Sequence, residues 1–352
     1  MKGFAEAPRR DRDGIALVVA RPVVIAAPTI WFPLRPGDRP LVTDGESVLT
    51  GAPLAELLLD QRLVEVPAAR GRTMQRPGDR WTGTIGGRSP LAGRTPLGGR
   101  RQVAATGELL FEVGGRWRVA IGEGGGVLEA PAAGIVRGVR SGGGIGLQVA
   151  GSGVAGVRAV GAPARGRLDL ATSHEGEIRV SGLDVGRAGS ILVIGSRVDA
   201  ETLTRARAMG IRGIVVAAVA SKDLRDFAAS EARQRASLHR LPPFALLVME
   251  GALRRPIASP VMSLFGALAG QDVAISGDPP MLLFDPTGLR LPAPPADWVR
   301  VRQGPMAGRE GLWAGPAGLR RFRAGVRLEA GFVSFADDAP VAVPLADLER
   351  FV

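Results

Sequence analysis

WVRVRQGPMAGREG (residues 298–311) sets the first constraint on the fold. Val299 and Val301 alternate with Arg300 and Arg302, the two-residue period of a half-exposed β-strand. Gly304-Pro305 and Gly308 then break the run as a turn. Downstream, Val326 and Leu328, Val333 and Phe335, and Val341 and Val343 repeat the alternation. Upstream, LPAPPA (291–296) is a proline-rich linker. Residues 297–352 are therefore expected to form a small all-β domain. Arg320, Arg321 and Arg323 cluster in an expected loop of that domain and are its best contact candidates. Trp313 and Phe322 suit a core or a contact equally well.

Val299, Val301, Gly304, Pro305, Met306, Ala307, Gly308 and Gly311 follow the pattern V-x-V-x-x-G-P-F/M-A-G-x-x-G, and Val343-Pro344-Leu345-Ala346-Asp347-Leu348-Glu349 follows the matching end. On these residues the tail resembles a KOW-type SH3-like barrel of the NusG/Spt5 and ribosomal-protein kind. The whole arrangement also looks like a group of KOW-containing bacterial proteins, which implies architecture and no activity. The module resemblance implies binding of RNA or protein through barrel loops, so that RNA, the ribosome or RNA polymerase are the partners it suggests.

Before the linker, residues 185–288 change character. ILVIG (191–195), IRGIVVAAVA (211–220), FALLVME (244–250) and DVAIS (272–276) are apolar, β-branched runs. Helical segments separate them. In 199–210, Leu203, Ala206 and Met209 share a face, Asp199 suits the N-cap and Gly210 ends the helix. The second helix, 221–240, is capped by Ser221. The third starts at Ser259, the expected N-cap, with Pro260 in its first turn. Alternation at this spacing predicts a small parallel α/β layer, Rossmann-like in shape. Ser196, Arg197, Ser221 and Lys222 fall at its βα loops, where an anionic metabolite would sit. No catalytic acid–base pair accompanies them.

Residues 14–170 read as short strands punctuated by glycine, one all-β domain. Asp44-Gly45 is a hairpin turn signal. Val42-Thr43-Asp44-Gly45-Glu46-Ser47-Val48, with Gly51, Leu54, Ala55 and Glu56, and then Ala130-Pro131-Ala132-Ala133-Gly134-Ile135-Val136, resemble the two halves of a barrel-sandwich hybrid, the lipoyl-like fold. A carrier of that kind needs a lysine at a hairpin tip. The two lysines, Lys2 and Lys222, cannot supply it. Within this domain residues 70–101 hold eight arginines, eight glycines and one acid, Asp79, which predicts a mobile basic insertion. Arg72, Arg76, Arg80, Arg100 and Arg101 can neutralise phosphates and Trp81 can stack on a base.

The 352 residues carry a formal charge of +11, of which +7 lies in that insertion and only +1 in 291–352. Cysteine is absent, which excludes disulfides, thiolate nucleophiles and cysteine-ligated metals. His174 and His239 stand far apart with no partner at ligand spacing, so surface or capping roles are expected. GSGVAG (151–156) fits a dinucleotide pattern but precedes a β-like segment instead of a helix. No Walker A loop or G-x-S-x-G elbow occurs. No apolar run is long enough to cross a bilayer, and a cytoplasmic protein with no cofactor or metal is expected. The reading is a non-catalytic binding protein for RNA, the ribosome or the transcription machinery. An anionic-metabolite protein or enzyme, or a structural assembly subunit, are the alternatives.

Overall fold

A computed structural model describes residues 14–68, 75–86, 102–140, 143–178, 182–237, 243–336 and 339–352. The chain is β-rich, with three α-helices among the described residues. None of the helices is long and apolar enough to cross a membrane. It divides into two compact units, one of Met1–Pro28 with Gly151–Val352 and one of Thr29–Ala150.

The larger unit holds a nine-stranded sheet in the order Arg158–Gly161, Ala245–Gly251, Gly213–Ala218, Ser190–Arg197, Ala164–Leu170, Asp272–Gly277, Pro280–Phe284, Ser152–Ala155 and Ile25–Ala26. The four strands from Ala245–Gly251 to Ala164–Leu170 are parallel. Successive residues point to opposite faces, and both faces are covered, which is why Ser190–Arg197, Gly213–Ala218 and Ala245–Gly251 read as mainly apolar runs, while Ala164–Leu170 carries Arg165, Arg167 and Asp169. Leu192, Ile194, Ile214 and Val216 meet Leu203 and Ala206 of α1 (Ala200–Ala208) and Phe227 of α2 (Ser221–Ser237). Ile191, Val193, Val215 and Leu247 meet Val261, Leu264, Phe265 and Leu268 of α3 (Ser259–Leu268) on the other face. Asp199 caps α1 by accepting the Thr202 N–H at 2.7 Å.

The expected parallel layer is thus part of a larger mixed sheet. The 272–277 strand is antiparallel to Ala164–Leu170. The chain enters it from α3 on the far side of the parallel group, and Pro280–Phe284 turns back as its hairpin partner. The 151–156 segment forms a strand, Ser152–Ala155, and opens no helix.

The second sheet of this unit runs Val19–Arg21, Leu348–Phe351, Trp298–Val301, Glu310–Arg321, Arg327–Ser334 and Val341–Pro344. Val18, Val299, Val301, Trp313, Val333, Phe335, Val343 and Leu348 fill its core. Val19–Arg21 pairs in parallel with the last strand of the chain, while Ile25–Ala26 joins the nine-stranded sheet. The single all-β domain expected at 14–170 is accordingly shorter. Its two ends, up to Pro28 and from Gly151, belong to the larger unit, because strand partners are chosen by long-range burial and not by sequence proximity.

The smaller unit contains a four-stranded sheet, Thr29–Pro33, Gly144–Val149, Gly134–Arg140 and Ser47–Val48, and a five-stranded one, Arg39–Pro40, Pro53–Pro67, Arg116–Glu129, Gln102–Val113 and Arg80–Gly86. Asp44 ties the expected turn to the other half of the unit, accepting the Gly138 N–H at 2.6 Å. Part of the basic strip is not a loop. Arg80–Gly86 pairs residue by residue with Gln102–Glu108, since Trp81, Thr82, Thr84 and Ile85 suit a pleated surface. Residues 70–74 and 87–101 lie outside the described residues.

Candidate functional site

The strands Glu310–Arg321 and Arg327–Ser334 form a hairpin whose end carries the predicted arginines. Its register sets Leu319 opposite Glu329, Arg320 opposite Leu328 and Arg321 opposite Arg327. The Phe322 N–H donates to the Val326 carbonyl at 3.0 Å and the Gly325 N–H to the Phe322 carbonyl at 2.8 Å, closing the turn that holds Arg323. Gly325 has φ +80°, a conformation that strains any residue with a Cβ. Arg320 and Arg321 therefore lie on strand and only Arg323 in the turn, a correction to the expected loop.

All of Arg320, Arg321, Arg323 and Arg327 are exposed. Arg320 is tethered: its Nε donates to the Ala317 carbonyl at 2.9 Å and its guanidinium lies 5.5 Å from the Phe332 ring centre. Among the described residues Arg321, Arg323 and Arg327 form no ion pair. Like charges directly opposite across two strands are destabilising. The Arg321–Arg327 pair is thus a local cost to the fold that an anion would relieve. Arg327 was not singled out in the sequence, because its place opposite Arg321 follows only from the register that the Phe322–Val326 closure sets.

The KOW-pattern glycines have a different role. Gly304 and Gly308 have φ +85° and +89°, and the Gly308 N–H returns to the Val301 carbonyl at 2.8 Å. At Gly311 a Cβ would run into the Ser334 carbonyl of the neighbouring strand. Pro305 is exposed in the turn. The turn itself lies against the α/β part: Arg255 Nη1 donates to the Arg302 carbonyl at 3.0 Å, and a Cβ on Gly308 would sit 3.1 Å from that of Arg255. These residues shape and dock the sheet, and the arginine hairpin is the part left open.

Beneath that contact is a buried ion cluster. Arg300, which the alternation placed on a solvent face, is 1% exposed. Its Nη1 lies 2.8 Å from Glu250 and 3.8 Å from Glu349, and its Nε lies 3.7 Å from Glu310. Only Nη2 is aligned for a hydrogen bond, to the Pro256 carbonyl at 2.9 Å; Nε and Nη1 hold their carboxylates by charge rather than along the N–H direction. Arg21 reaches Glu250 at 3.2 Å and Glu349 at 3.4 Å. Carboxylates from three separate strands draw Arg300 inward and join the two sheets of the larger unit.

At the ends of the parallel strands the chain's own groups occupy part of the expected anion site. Ser196 is buried, and Arg197 pairs with Asp223 at 2.9 Å. Gly195 lies under the Ser173 and His174 carbonyls, and its own carbonyl accepts the Ile257 N–H at 2.8 Å. Glu250 is held by Arg300. Ser221 and Lys222 stay exposed at the start of α2, itself begun by the Leu224 N–H bonding back to Ala220.

His174 Nε2 lies 3.3 Å from Ser259 Oγ. A serine–histidine contact suggests a nucleophile, but the surroundings oppose it. The Ser259 N–H donates to Glu310 at 2.9 Å, so a carboxylate sits where a developing oxyanion would need donors. Ser259 is the first residue of α3 and not its cap, and Glu310, from another sheet, does the capping. Glu310 also accepts from Trp298 Nε1 at 3.0 Å. Ser259, Pro260, Pro292, Pro295 and Trp298 line a groove of about 320 Å³. Two of its polar donors are already bonded to Glu310.

In the smaller unit, Arg76 and Arg80 are exposed, and the Arg76 N–H is bonded to Asp79 at 2.7 Å. Trp81 packs against Val66, Leu109, Trp117, Val119 and Ile121, with its ring over Gly83. It is a core residue more than a stacking platform. Arg72, Arg100, Arg101 and His239 lie outside the described residues. No protein-family model matches the chain, and no curated protein matches it.

Proposed function

We propose that this is a non-catalytic modular protein that docks on RNA, free or within the ribosome or transcription machinery, through the arginine hairpin of a C-terminal KOW-type SH3-like barrel. Support for the barrel reading comes from the strand order: the strand Trp298–Val301 pairs with the last strand, and a 3-10 turn, Leu345–Asp347, separates the last two. The four parallel strands are read as the Rossmann-like element and the smaller unit as the barrel-sandwich hybrid. Both act as scaffold in this account; at the parallel-strand ends Arg197 is paired with Asp223, Glu250 with Arg300, and Gly195 is covered by the Ser173 and His174 carbonyls.

The observation that carries the RNA reading is Arg321 directly opposite Arg327, with Arg323 in the adjoining turn and no ion-pair partner among the described residues. Exposed guanidinium groups gathered at one point bind phosphate by charge-assisted, often bidentate hydrogen bonds. The test is fluorescence anisotropy of the full chain with a labelled RNA of roughly 16 nucleotides over a salt series. Three phosphate contacts on a single strand predict a log–log slope of about −2. No binding at about 50 mM salt, or affinity independent of salt, would overturn the proposal.

A further inference from the structure

We infer that the hairpin end selects single-stranded over duplex RNA, an inference that rests on reading this hairpin as the RNA contact. The two faces of the ribbon differ. Arg321 and Arg327 share one face, with Leu319 and Glu329 one pair further in. Arg320 and Leu328 share the other. Continuing the alternation into the turn puts Phe322 and Val326, joined by a backbone hydrogen bond, on that second face. Phe322 is half-buried, while Val326 is 51% and Leu328 38% exposed. One side of the tip is thus cationic and the other mainly apolar, about one side chain apart.

A duplex presents phosphate, sugar and base edges to such a tip but keeps the base faces stacked inside, which leaves the apolar face without a stacking partner. A single strand separates the two chemistries. Its phosphates can lie along Arg321 and Arg327 while an unstacked base turns over the end of the hairpin onto Phe322 and Val326. Base–aromatic contact is sequence-tolerant, since every base has a π-face. The ligand class is therefore flexible single-stranded RNA with little base preference.

The experiment compares the full chain on a single strand and on a duplex of equal length at one salt concentration. The single strand is expected to bind about tenfold more tightly. Phe322→Ala is expected to bring the two affinities close together by weakening only the single strand. Val326→Ser, at a more exposed position, is expected to do the same to a smaller extent and guards against a folding defect in the first variant. Arg321→Glu is expected to weaken both ligands. Equal or tighter duplex binding, or an unchanged preference in both apolar variants with unaltered thermal unfolding, would overturn the single-strand inference and leave the RNA proposal standing. Failure of both RNAs to bind would remove that proposal as well.

Discussion

Replacing Arg300 by methionine is expected to destabilise the larger unit by roughly 3–5 kcal/mol, lowering its melting temperature by roughly 6–20 °C. The substitution keeps an apolar stem of similar length and removes the charge. Glu250, Glu310 and Glu349, 5%, 8% and 10% exposed, then face one another with Arg21, and Arg302 at 4.0 Å from Glu349, left to offset them. The cost is that of leaving buried charge uncompensated, which exceeds the net worth of the intact cluster. Arg300→Met with Glu250→Leu should therefore recover part of the loss. Arg116 and Glu65 provide the contrast: their side chains are 52% and 42% exposed, and Arg116→Ala should cost less than about 1 kcal/mol. Differential scanning calorimetry checks all three variants. An Arg300→Met protein that melts like the parent would show that the cluster does not hold the two sheets together.

Arg327→Glu is expected to separate binding from stability. It sets a carboxylate opposite Arg321 in place of a second guanidinium. Relieving a like-charge pair across two strands should stabilise the hairpin by about 0.2–1 kcal/mol. RNA affinity should fall by about tenfold at 0.1 M salt, because one phosphate contact is lost and its neighbour is neutralised. A structural role for these arginines predicts stability and binding moving together. A ligand role predicts them moving apart. Denaturant unfolding and anisotropy on the same preparation decide between the two.

Periodicity and turn chemistry made the elements legible. ILVIG and the runs after it were readable as buried strands because helices cover both faces of their sheet, and Asp199 was readable as a cap because a short carboxylate before an apolar face has few other uses. Partnering was not legible. Nothing local in Val19–Arg21 says that it pairs with residues 349–351, or that the 272–277 strand reverses. Arg300 shows the same limit from the side-chain end. Its alternation with valines implies a solvent face, and only the convergence of glutamates from three distant strands makes burial tolerable. The arginines of the hairpin were visible as a cluster, but the opposition of Arg321 and Arg327, which gives the cluster its binding argument, exists only once the register is known.

Ultraviolet crosslinking of the full chain to a single-stranded RNA, followed by mass mapping of the modified peptides, tests the central claim most directly. Crosslinks confined to the segment 319–328 are the predicted result. Crosslinks that fall instead on the Gly304–Gly308 turn, on the parallel-strand ends or in the smaller unit would contradict it.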